Sequence, residues 1–254
     1  MEKALNSLPT SEIEAYKQIM ARIRAGTSHT SVTAIRTLIC QIFHAARPLR
    51  MDELLEALYI EERLSGIDGN QKFVSVDIIE MCHSLVVYDE PSGIVRFSHI
   101  TVQEFLKSRK LPVINLAKTC LAYLEYNAFN CICSNKKSME IRIQTYRFCL
   151  YAARFWGFHV RGEAESLSCV QRTIFRLLAS ENKRNSIVQM AEYAYSRRGL
   201  PSFTEGQTAL HIVATNGLAT VCKHLLDRQP RYALYVYETD QRIECQCHGE
   251  SGNG

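Results

Sequence analysis

Apolar residues in the first hundred positions recur mostly at three- and four-residue intervals, and the pattern switches to short β-prone runs only once. Ile13, Tyr16, Ile19, Met20 and Ile23 fall on one helical face. Ser11-Glu-Ile-Glu14 ahead of them reads as a capping box, and Gly26 supplies a stop. A second helix is predicted from Val32 to Ala46, burying Ile35, Leu38, Ile39, Ile42 and Phe43 and ended by Pro48. A third covers Asp52 to Tyr59, with Asp52 and Glu53 in the first turn, where the helix dipole favours acids. Ile60 to Lys72 reads as a loop on the turn signals Ser65-Gly66 and Asp68-Gly69, and a fourth helix follows from Ser75 to His83. Leu85–Tyr88 and Ile94–Phe97 then flank Asp89-Glu-Pro-Ser-Gly93, predicting a hairpin with a five-residue turn. Thr101-Val-Gln-Glu104 reads as a second capping box, opening a helix through Phe105 and Leu106.

Three helices, a hairpin and a closing helix within about 75 residues predict a winged-helix arrangement. After Pro112 the pattern is helical throughout, with helices expected at Val113–Tyr126, Ile141–Gly157, Glu163–Ser180 and Ile187–Arg197. The run Tyr146 to Trp156 is apolar nearly all round, as a central helix requires. Arg197-Arg-Gly-Leu-Pro201 closes this region. Gly206-Gln-Thr-Ala-Leu-His211 then continues through Ala214-Thr-Asn-Gly217 to Leu225-Leu226. Glycines at the two turns and Leu210, Val213, Ala214, Val221, Leu225 and Leu226 at helical spacing resemble one ankyrin-type repeat. A single unit of ~33 residues cannot bury its own apolar face, so the chain is expected to belong to something larger. Beyond Gln229-Pro230, Tyr232 to Tyr237 is strand-like, the end is rich in Cys and Gly, and no second repeat begins. The expected fold is mainly α. Its parts are a helical segment at 1–30, a winged-helix domain with one β-hairpin at 31–110, a helical spacer at 111–200, a single ankyrin repeat at 204–230 and an irregular tail at 231–254.

Composition narrows the function classes. With 46% hydrophobic and 22% charged residues, the chain can build a core and is not disordered by composition. Thirty basic against 26 acidic residues leave +4, too mild a balance to imply nucleic acid or acidic lipid. No apolar run approaches the ~18 residues a membrane span needs. Met-Glu-Lys-Ala-Leu-Asn-Ser-Leu-Pro9 has no signal-peptide core, so a cytoplasmic location is expected. The ten cysteines sit mostly within helical apolar patterns and read as small buried hydrophobes.

Several ordered pieces resemble the region after the nucleotide-binding module of fungal NACHT–ankyrin signalling ATPases. Ala4-Leu-Asn-Ser-Leu-Pro9 leads into the first helix, and Ala45-Ala-Arg-Pro-Leu49 precedes Glu53-Leu-Leu-Glu-Ala-Leu58. Cys82-His-Ser-Leu-Val86 leads to the hairpin, and Val95-Arg-Phe-Ser-His99 runs into Thr101-Val-Gln-Glu-Phe-Leu106. Tyr151-Ala-Ala-Arg-Phe-Trp-Gly157 and Thr208-Ala-Leu-His211 follow. The resemblance implies the end of an ATPase region, a winged helix of the type named after GPI inositol-deacylase, a helical spacer and the first ankyrin repeat. It implies a non-enzymatic relay segment with a protein partner, within a larger NACHT-type assembly, and a P-loop upstream of Met1.

Gly66-Ile-Asp-Gly-Asn-Gln-Lys72-Phe73 is the nearest approach to a P-loop, yet Gln71 replaces the second glycine and Phe73 the magnesium-binding hydroxyl. DNA reading by the predicted fourth helix meets Asp77 and Glu80, no Lys or Arg between Val74 and Ser84, and Asp89 and Glu90 in the hairpin turn. Duplex affinity comes largely from Lys and Arg, so this face opposes it. Cys131-Ile-Cys133 and Cys245-Gln-Cys247-His248 each lack the second pair that structural zinc requires. Paired acids such as Glu53/Glu56 and Glu61/Glu62 are expected to be solvated, and no nucleophile elbow is present. Thr208 and His211 are expected to fix the turn before the repeat's first helix, where Ala209 stands in place of the more usual Pro. No catalytic, cofactor-binding or metal-ligating residue is therefore assigned, and no cofactor, nucleic acid or membrane is expected as partner. A winged-helix nucleic-acid regulator and a fragment acting in trans on a NACHT ATPase are the alternatives.

Overall fold

The computed structural model describes residues 12–26, 29–64, 79–109, 111, 114–196 and 206–227. The chain divides into two compact units, Met1–Thr119 and Cys120–Gly254. Ser11 and its capping box, the loop from 65 to 72 with the P-loop-like Gly66–Phe73, residues 75–78, Arg197–Pro201, the strand-like Tyr232–Tyr237 and the Cys245–His248 run lie outside the described residues.

In the first unit, α1 (Glu12–Gly26) and α2 (His29–His44) precede a short strand β1 (Leu49–Arg50) and α3 (Met51–Leu64). The hairpin β2 (Val86–Asp89) and β3 (Ile94–Phe97) then leads to α4 (Ile100–Lys107). The sheet order is β1-β3-β2, antiparallel throughout, with Leu49 opposite Val95 and Val86 opposite Phe97. Leu38, Leu54, Leu85, Val95, Val102 and Leu106 are almost fully buried and form the core of the unit.

The structure corrects the sequence reading at five points. β1 was not foreseen, because two residues between Pro48 and a helix carry no readable alternation. The third helix runs on to Leu64, since Ile60 continues the apolar face and is only 4% exposed. The turn between β2 and β3 holds four residues rather than five, with Gly93 at φ +70° donating to Asp89 O at 2.8 Å. The cap of α4 is His99, whose Nδ1 accepts from the Thr101 amide at 3.3 Å, so the Thr101–Glu104 capping box does not form. Thr101 Oγ1 bonds instead to the Tyr16 hydroxyl at 2.6 Å. Ile13, although it lies on the apolar face of α1, is 56% exposed. Residues 79–81 are helical, and His83 and Ser84, both at positive φ, carry the chain from there toward β2.

After α5 (Ile114–Leu124), the second unit comprises α6 (Lys136–Thr145), α7 (Cys149–Val160), α8 (Ser168–Ala179) and α9 (Glu181–Ser196). A short pair, α10 (Ala209–Thr215) and α11 (Ala219–Asp227), follows. The single helix expected over Ile141–Gly157 is two helices. Tyr146, at φ −124° and ψ 81°, breaks the ladder, and α6 begins earlier, behind an Asn135 cap reciprocated by Ser138. The expected Glu163–Ser180 helix likewise starts as a 3₁₀ turn at Gly162–Ser166 before α8. α9 starts at Glu181 rather than Ile187; its first turns, Glu181 to Ser186, are polar and carry no apolar periodicity to mark the start.

Tyr123, Phe129, Phe148 and Tyr151 are fully buried, and the Tyr123 ring lies 5.3 Å from that of Phe148, edge to face. Such aromatic pairs add about 0.5–1.5 kcal/mol beyond burial alone. α7 is buried on most sides, as its composition foretold, with Trp156 3% exposed; Phe158 is its exception at 53%. Among the described residues, no helix is long and apolar enough to cross a membrane.

Candidate interaction surfaces

The winged-helix unit presents its hairpin with mixed charge. Glu80, Asp89 and Glu90 are exposed, as is the Tyr88 ring. Arg50 is tethered over the turn, donating to Ser92 O at 3.2 Å and lying 3.5 Å from Asp52. Gly93 lets this happen, because a Cβ there would stand 3.0 Å from Arg50 Nη2. Behind the hairpin, Glu53 is 5% exposed and takes two hydrogen bonds from Arg47, at 2.6 and 2.7 Å, plus the Arg50 amide at 2.9 Å. It is therefore a buried tie between α3 and the chain before β1, not the solvated acid expected from its spacing with Glu56.

In the second unit, α9 carries a buried polar stripe, Lys183, Ser186 and Gln189, at three-residue steps on one helix face. Lys183 Nζ donates to Leu124 O at 3.1 Å and Tyr126 O at 2.9 Å. Arg142 reaches Ser186 Oγ at 3.0 Å and Cys131 O at 2.8 Å. The Gln189 amide accepts from Cys133 N at 2.7 Å and donates to Cys133 O at 2.8 Å, as a neighbouring strand would. The stripe holds the 124–133 backbone, whose polar groups would otherwise be buried without partners. Cys131 and Cys133 are thereby placed by backbone contacts, and burial pushes the Cys133 thiol up. Burial lowers Lys183 to about 8, an effect that Glu125 partly opposes.

The terminal pair α10–α11 is fastened to the rest of its unit by a compact seam. Its first turn is closed by Thr208 Oγ1, which accepts from the His211 amide at 3.3 Å, while His211 Nδ1 accepts from the Thr208 amide at 3.3 Å. Gly206 and Gly217 take φ of +74° and +67° at the two turns, a region that L side chains seldom enter. Glu165, 6% exposed, aims one carboxylate oxygen at the start of α11 and accepts from Thr220 N at 2.6 Å and Val221 N at 3.0 Å. An anion at a helix N-terminus satisfies orphan amides and the dipole together. Asn216 sits directly on Gly157 of α7, where an added Cβ would fall 2.6 Å from Asn216 Cβ. Arg161 donates to Asn216 O at 2.7 Å, and Arg184 donates to Gln207 O at 3.1 Å. Val213, Leu218 and Val221 are fully buried and Leu225 nearly so, whereas Ala214 and Leu226, part of the same helical spacing, are exposed.

Sequence reasoning singled out Thr208 and His211, and the structure pairs them as expected. It missed Glu165, Asn216 and the α9 stripe. Apart from the Arg142–Ser186 contact, their partners are main-chain groups, which leave no complementary residue to read. A signal for Glu165 did exist: an acid in a short segment just after an apolar helix, ahead of a helix pair whose second member lacks an acidic first turn.

Residues 20–113 match the family model described as GPI inositol-deacylase, winged helix domain. That part of the chain is a winged-helix domain, in agreement with the three-stranded sheet and the helices around it. Neither the curated proteins nor the solved structures contain a match to the chain.

Proposed function

We propose that the chain is a non-enzymatic relay segment of a NACHT–ankyrin-like signalling protein of fungal type, working in the cytoplasm with protein partners. In this reading the winged helix packs against a nucleotide-binding module, and α10–α11 is the first ankyrin repeat of a stack. The observation that carries it is the seam at Glu165 and Asn216, which grips a glycine-turned helix pair by its backbone while leaving Leu226 exposed. A repeat of this sort contributes through its neighbour interfaces, and the exposed face is where the next unit would stack. The match of residues 20–113 to a winged-helix family supports the other half of the reading.

The test is to replace the residues after Asp227 with two consensus ankyrin repeats and follow hydrogen exchange of Ala209–Asp227. Stacking should slow exchange there and merge the added repeats into one cooperative transition with the helix pair. Repeats that melt separately, with exchange unchanged, sink the ankyrin reading. A parallel titration with duplex DNA at low salt should show no salt-dependent retention, and retention would favour a nucleic-acid regulator instead.

A further inference from the structure

The winged-helix unit contains a cleft of about 430 Å³ among α1, α2 and α4. Its floor is apolar, formed by Met20, Ile23, Ile35, Ile39, Phe105 and Leu106. Its rim carries Lys17, Arg24, Arg36 and Arg109, and no acidic side chain lines it among the described residues. Lys17 is held 3.3 Å from Glu14, while the Arg109 guanidinium lies over the Phe105 ring at 4.9 Å to its centre. Glu12 and Glu104 line a neighbouring cleft, which shares Lys17, Phe105 and Arg109.

We propose that this cleft binds a single-chain amphiphile with an anionic head, the alkyl chain on the apolar floor and the carboxylate or phosphate among the rim cations. The volume lies within the range of roughly 300–1,000 Å³ that small-molecule sites occupy. Charge complementarity sets the sign of the head. Several cations converge beside a low-dielectric wall, which focuses positive potential and draws anions. A neutral chain would gain only the apolar contacts, and a cationic head would be repelled. An anion gains both, because its charge stays at the wet rim and is not buried unpaired. Arg24 and Arg36 are exposed and line the cleft from two different helices, so one head group can be shared between them.

The experiment is isothermal titration of the full chain with decanoate, decyl phosphate, decan-1-ol and decyltrimethylammonium, the charged amphiphiles below their micellar concentrations and decan-1-ol below its solubility limit. Saturable one-to-one binding of the two anions is expected, with decan-1-ol at least tenfold weaker. The carboxylate and phosphate arms show which head the rim prefers. Arg24→Glu and Arg36→Glu lie at exposed positions and should each weaken anion binding at least fivefold without moving the urea midpoint. Met20→Trp, which fills the floor, should weaken all chains alike. Binding of decan-1-ol as tight as that of the anions, anion binding indifferent to both arginine substitutions, or no saturable binding at all overturns the proposal.

Discussion

Gly157 and Asn216 show how much one missing methyl group can decide. Asn216 ends α10 and occupies the space where a Cβ on residue 157 would stand, so α10–α11 can seat only on a bare backbone. Gly157→Ala should raise intrinsic helix propensity in α7 yet destabilise the second unit by about 1–3 kcal/mol, as overpacking does. Urea titration followed by Trp156 fluorescence measures this, and a neutral or stabilising result would mean the seam is looser than its distances imply. Gln41 is the opposite case. It is fully buried in α2, and neither end of its amide has a hydrogen-bond partner among the described residues. Gln41→Leu keeps the volume and removes the desolvated dipole, so the urea midpoint of the first unit should rise, by about 1 kcal/mol in free energy. Loss of stability would show that the amide serves something beyond local packing.

At the scale of elements, periodicity predicted where helices exist far better than where they end. α1, α2 and α5 were legible from apolar spacing, and α7 was legible as the central one. The break between α6 and α7 was not, because the aromatic run through Tyr146 and Phe148 is apolar in the turn as well as in the helix that follows. The capping-box pattern puts the cap of α4 at Thr101, but the helix starts at Ile100, so His99 caps it and the Thr101 hydroxyl bonds to Tyr16 and to His99 Nδ1. α9 hid its inner face because a buried stripe of Lys, Ser and Gln looks like a solvated one in sequence. That stripe has a pH signature. A lysine whose folded pKa is lowered from 10.5 to about 8 holds its proton less firmly than in the unfolded chain. Its penalty is full below pH 8 and is relieved as pH rises toward 10.5. The unfolding free energy of the native chain, minus that of Lys183→Met, should therefore climb across this window. A flat difference would place the ammonium in water.

Across the whole molecule, the cysteines divide by environment rather than by spacing. Among the described residues, Cys40, Cys82, Cys120, Cys133 and Cys149 are buried as their apolar patterns suggest, Cys131 and Cys222 are half-buried, and Cys169 is exposed. Burial alone pushes Cys82 to about 12 and Cys120 higher still. Because the thiolate is the nucleophile, both should resist iodoacetamide at pH 8 in the native state and react only on unfolding. Peptide mass mapping should find Cys169 labelled first among the described cysteines. Labelling of Cys120 at a similar rate would reveal an opening of the second unit's core. The winged-helix architecture was readable because its helices and hairpin alternate in period. The seam and the stripe were not, since both rest mostly on contacts between side chains and distant main chain.

The grip of Glu165 on α11 has one more consequence. The carboxylate holds amide hydrogens, which every amino acid except proline supplies, so the contact is blind to the letters at 220 and 221. Substitution can drift freely on the outward side of that helix while its angle of departure stays the same. An artificial repeat array spliced in behind Val221 would inherit that angle, whatever cargo its own surface was built to carry.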